Sequence, residues 1–199
     1  MNWLRRILAV FSVRPGATNC TDPGERMDDR FLMIALRLLH IVGGVFWVGA
    51  VMTLAWFVGP STGVLGEATG KFFQEIMLRR KLSVWIASAM GLTVLSGLTM
   101  YGKYSMVANS HFASSRTGIV LGIGGLFAIV AAVIGGAAAG KTAKGIAEIS
   151  RQIQAAGGPP TAEQKAQMTA MQMRQGKASR IAASLLLVTL VAMAIARYV

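Results

Sequence analysis

Two histidines and a scatter of methionines are the side chains of this chain whose chemistry reaches beyond packing. His40 stands in FLMIALRLLHIVGGVFWVGAVMTLAWFVGP, residues 31–60, a run in which no charge follows Arg37 until Glu67. At about six residues, roughly 9 Å of helix, into the part of that run that would span a membrane, an imidazole is costly unless it has a partner, and is a functional candidate by default. Gly44 lies one turn further on and leaves space beside the ring, of the kind a porphyrin face needs; Trp47 continues the same face. A haem with two axial ligands would take its second from His111, or from Met100 or Met106, since His and Met form an axial pair. The outward trio of Met100, Met106 and His111 also matches the donors that copper(I) prefers. The plainer alternative is a neutral His40 hydrogen-bonded to a carbonyl or hydroxyl on a neighbouring helix, with the methionines filling gaps between helices.

Other chemistry is missing from the chain. The eight carboxylates all fall outside the apolar runs, and no HExxH, CxxC or GxSxG occurs, so no catalytic residues are assigned. LGIGGLFAIVAAVIGG lies inside an apolar run with no strand before it, which excludes a phosphate loop. No run carries the charges of a proton relay or an ion path, and no internal repeat suggests a transporter. Cys20 is the single cysteine, so there is no internal disulfide and no thiolate metal cage.

The elements that must position these residues are membrane helices. Hydrophobic residues make up 54% of the chain and charged ones 14%, an imbalance that belongs in lipid. A helix needs about 20 apolar residues to cross a core about 30 Å thick, and four runs qualify. We read one integral membrane domain over 1–199, all-α, a four-transmembrane-helix bundle with spans at about 33–59, 82–104, 117–140 and 180–198. Residues 1–30 divide into an amphipathic interfacial helix (Trp3, Leu4, Ile7, Leu8 and Phe11 on one side, Arg5 and Arg6 on the other) and a polar linker with Pro and Gly breakers. Pro60 should end the first span. The segment 67–81 should lie on the membrane surface with Phe72, Phe73, Ile76 and Met77 inward.

Small residues mark where helices touch, because dispersion between close backbones holds helices together in lipid. Gly43, Gly44 and Gly49 do so in the first span. Two rows do so in the second, Ser83, Ala87, Gly91 and Ala89, Thr93, Gly97. The third span, with Gly118, Gly122, Ala132, Gly136 and Gly140, is the smallest in side-chain volume, which places it at the centre of the bundle. The fourth has sixteen uncharged residues between Arg180 and Arg197, so both arginines should snorkel to the head groups.

The net charge of +12 follows topology and not a nucleic-acid surface: the cations cluster at span ends. Loops 1–2 and 3–4 hold most of them, so the positive-inside rule turns both termini to the periplasmic side of a bacterial inner membrane. Loop 3–4 should be an ordered helical hairpin standing out of the cytoplasmic face. Ile146, Ile149 and Ile153 give its first arm an apolar stripe, GGPP at 157–160 breaks the helix, and Thr161 with Gln164 spells a capping box for the second arm.

LRLLHIVGGVFWVGAVMTLAWFVGP followed by MLRRKLSVWIASAMGLTVLSGLTMY resembles the first two helices of the copper-resistance protein D group. It is similar, more distantly, to the four-helix haem-binding protoporphyrinogen oxidases of bacteria. The resemblance covers roughly residues 34–104: a Leu-His pair early in the first span, Trp47 followed by Gly49, and basic residues before the second span. It implies a bacterial cytoplasmic-membrane four-helix protein and makes His40 the position that matches the oxidases' haem-ligand histidine. The last two spans match only in general character.

Together these readings give a non-catalytic accessory subunit or binding module of a membrane complex, contacting lipids and partner proteins through its small-residue faces and its basic hairpin. The alternatives are a haem b redox protein using His40 and Gly44, or copper handling by His40, His111, Met100 and Met106. The cofactor itself is not named by the residues.

Overall fold

The computed structural model describes residues 23–65, 68–108 and 111–199. The expected N-terminal interfacial helix and Cys20 lie outside these residues. Among those described there are helices and turns and no strands. The chain divides into two units, 1–33 and 34–199; the described part of the first is the opening of helix α1, Pro23–Met52.

That opening revises the sequence reading, in which 14–30 is a linker broken by Pro23 and Gly24. Pro23 is the first helical residue, where its fixed φ suits the helix and its missing N–H would have had no partner anyway. The helix likewise does not stop at Pro60, although the first membrane span runs only to Ser61. α1 passes through a π-helical turn, Thr53–Val58, into a further α-helical segment, α2, Gly59–Leu65. A proline lacks the N–H for the usual bond one turn back, and the wider turn just before it shifts the hydrogen-bond register where that donor is missing.

The chain returns through α3, Ala68–Phe73, and a second π turn, Gln74–Arg79. Lys81 then turns the corner in the left-handed region at φ 56°, and its carbonyl accepts the Val84 and Trp85 N–H groups. α4, Leu82–Lys103, follows and ends in a third π turn, Tyr104–Ala108. After a short 3₁₀ turn, Phe112–Ser114, the Ser115 hydroxyl accepts the Gly118 N–H and starts α5, Arg116–Ala156.

α5 is 41 residues long. It stops at Gly157, whose φ of +65° costs an L side chain roughly 1 kcal/mol and glycine nothing. α6, Ala162–Ile195, begins with the reciprocal cap the sequence spells: Gln164 N–H donates to Thr161 Oγ1, and Thr161 N–H to Gln164 Oε1. Ile149 on α5 is buried, and Gly145 of α5 lies against the Met171 side chain of α6.

Four helical segments are long and apolar enough to cross a membrane: Asp29–Ser61, Leu82–Met106, Arg116–Ala156 and Ala162–Ile195. At most 22% of the apolar window of any of them is buried within the protein. Water would penalise so much exposed Leu, Val, Ile and Phe by about 25 cal/mol for each Å², whereas lipid tails do not. This is a multi-pass membrane protein.

Its core draws on all four spans: Trp47 and Val48, Ala89, Ala131, then Ala182 and Leu186. The third span meets the fourth at Gly124, against Ala192 and Thr189, and at Gly135, against Ala182. It meets the second at Gly122, against the Tyr101 hydroxyl. The row Ala132, Gly136, Gly140, expected to be its packing face, is not the tight one. Gly136 and Gly140 are exposed, and a Cβ on Gly136 would meet only the Met90 methyl at 3.9 Å. The tight face lies instead on Gly124, Ala131 and Gly135.

Candidate functional site: the His40 seam

α1 and α4 pack antiparallel along a strip of small and hydroxyl residues. A Cβ on Gly43 would come within 2.7 Å of Thr93 Oγ1 and 3.3 Å of the Ala89 carbonyl. On Gly97 it would lie 2.8 Å from His40 Cε1. Both glycines are therefore needed for the helices to approach as closely as they do.

Into this contact His40 projects, half-buried. Its Nδ1 is 2.8 Å from the Thr93 carbonyl oxygen. A carbonyl can only accept, so Nδ1 carries a proton, and in the Nδ1–H tautomer the ring's lone pair lies on Nε2. Ser96 Oγ is 3.5 Å from the same nitrogen but is spent elsewhere, donating to the Leu92 and Thr93 carbonyls at 2.6 and 3.1 Å. Thr93 Oγ1 donates to the Ala89 carbonyl at 2.7 Å. The seam is thus a ladder of satisfied polar groups inside a membrane helix pair.

One turn nearer the loop, Arg37 Nη2 donates to the Tyr104 hydroxyl at 2.6 Å. Tyr104 packs on Phe112 with the rings tilted and Tyr101 meets it edge-on, with ring centroids 5.4 and 5.8 Å away, and the Tyr101 hydroxyl donates to the Gly118 carbonyl at 3.3 Å. This aromatic cluster ties the α4 end to the start of α5. Sequence reasoning missed the Arg37–Tyr104 pair. The available signal was the register: if His40 lies at Gly97, then Arg37, one turn before it, lies near a residue one or two turns after Gly97.

The other expected site residues fall into two groups. A Cβ on Gly44 would have Thr93 Cγ2 at 3.5 Å, so the space beside it is flanked by the neighbouring helix. Met100 is half-buried on α4, spaced three residues beyond Gly97 and four before Tyr104. Met106 is 87% exposed, and His111 is exposed ahead of the 3₁₀ turn. No group of three or more His, Cys, Asp or Glu that could hold a metal ion occurs among the described residues.

No protein-family model, curated protein or solved structure matches the chain. For a haem or copper ion, His40 offers the right atom: a histidine ligand characteristically gives its other N–H to a carbonyl or carboxylate, as here.

Proposed function

We propose that this chain is a non-catalytic subunit of a bacterial inner-membrane complex, with His40 serving as an interhelical clip. The observation that carries the reading is the His40 Nδ1–H···O=C Thr93 bond across glycines too close to admit side chains. It gives the one ionisable residue deep in the first span a structural partner, and the rest of the seam is satisfied within itself. Both termini are periplasmic, and loops 1–2 and 3–4 face the cytoplasm. The distal part of the α5–α6 hairpin, carrying Lys144, Arg151 and Lys165 against Glu148 and Glu163, docks an acidic protein partner.

A photo-crosslinking side chain placed at exposed Gln154 or Gln167 tests this in intact membranes. The proposal expects one salt-sensitive adduct, and extraction in mild detergent as part of a larger assembly. A protein that migrates alone, with no adduct from either position, would refute it.

A second reading is favoured by one feature, the lone pair left on Nε2. Through it His40 would ligate haem b, the role the resemblance implies, or copper, with Gly44 one turn further along α1. The bound group would supply electron transfer; the chain's part is to hold the ring by Thr93 so that Nε2 is presented. A cofactor that is lost in His40→Ala and retained in Met100→Leu would support this reading.

A further inference from the structure

We infer that the membrane-proximal part of α6 is a binding site for an acidic phospholipid. A shallow groove of about 340 Å³ runs along Arg180, Ile181, Ser184, Leu185 and Val188, at the level where the basic loops give way to the apolar span. By helix geometry Lys177, Ser184 and Val188 lie within about 20° of one line along α6, with Arg180 roughly 60° to one side and Ile181 and Leu185 on the other. Cations therefore stand over an apolar track about 12 Å long from Arg180 to Val188, the arrangement of a phosphate above an acyl chain.

Charge complementarity decides the occupant. At the same end of the molecule, Arg79 and Arg80 are matched to Glu75 and Arg151 to Glu148, each at 3.2 Å. Arg174, Lys177 and Arg180 are exposed and enter no ion pair among the described residues. Ser184, which lines the groove, differs from four other hydroxyls of the spans in the same sense. Thr93, Ser96, Thr99 and Thr189 each donate to the carbonyl four residues back, whereas Ser184 makes no hydrogen bond among the described residues. A free donor between two unpaired cations and an apolar track fits an anionic head group with its first methylenes. A zwitterionic lipid would bring its own cation to an already basic place. The inference needs only the membrane spans and stands whether or not the subunit reading holds.

The test uses the whole purified chain in detergent, titrated with phosphatidylglycerol, phosphatidylcholine or inorganic phosphate while Tm is followed. Phosphatidylglycerol should raise Tm saturably and the other two should not. The double variant Lys177→Gln/Arg180→Gln should weaken the apparent affinity by on the order of tenfold, and Ser184→Ala by less. Arg151→Gln, distal and paired, should behave as wild type. Equal stabilisation by phosphatidylcholine, an unchanged response in the double variant, or a response to free phosphate alone would each overturn the inference. So would a loss of dimers in the double variant without any lipid effect, which would give the groove to a second copy of the chain.

Discussion

At the scale of single residues, the close contacts of the α1–α4 seam rank the glycines by what surrounds them. Gly97 faces the His40 ring at 2.8 Å from an added Cβ, and Gly91 has nothing within 4 Å. Gly97→Ala should therefore push the imidazole off the Thr93 carbonyl and cost about 1–3 kcal/mol, as overpacking usually does. Gly91→Ala should be neutral or stabilising by up to about 1 kcal/mol, because alanine loses less backbone entropy in a helix. Thermal unfolding in detergent compares them directly; equal destabilisation would mean that the seam is packed differently. His40 and Thr93 were legible one at a time. An ionisable residue deep in a span announces itself by its cost, and a hydrogen bond to a neighbouring helix was the plainer expectation for it. Which helix, and which carbonyl, depends on the register of two helices far apart in sequence, and composition does not encode that. The same holds for Arg37 with Tyr104.

At the scale of elements, apolar run length and cap chemistry carried most of the information. Thr161 and Gln164 form their reciprocal cap because a polar side chain bonding its own backbone is a local event. Thr161→Ala should cost about 0.5–2 kcal/mol and shorten the protection of the following turn in amide exchange. Slow exchange through 144–173 is expected in the membrane-embedded protein, and rapid exchange throughout would contradict a helical hairpin there. The prolines were harder to read. Pro23 begins a helix and Pro60 sits within one, and in each case the missing N–H falls where the register had no need of it. Residue type alone cannot separate that from a break. The third span showed the same limit: its many glycines made every face look like a packing face, and only contact with Thr189, Ala182 and Ala192 picks one.

At the scale of the whole molecule, the four spans and their all-α character follow from hydrophobicity and length, the strongest signals a sequence holds. Orientation rests on charge at the span ends, and Cys20 reports it. In intact cells an impermeant maleimide should label Cys20 from outside, and labelling only after lysis would invert the topology. The central claim is that His40 holds two helices together and leaves its second nitrogen unused. Its most direct test is the visible spectrum of the protein purified from cells with ample haem and copper, alongside metal analysis and the His40→Ala variant. A colourless, metal-free wild type is expected, with His40→Ala reduced in Tm by the loss of an interhelical bond worth about 0.6–2 kcal/mol. A Soret band or stoichiometric copper in the wild type that disappears in His40→Ala would contradict it.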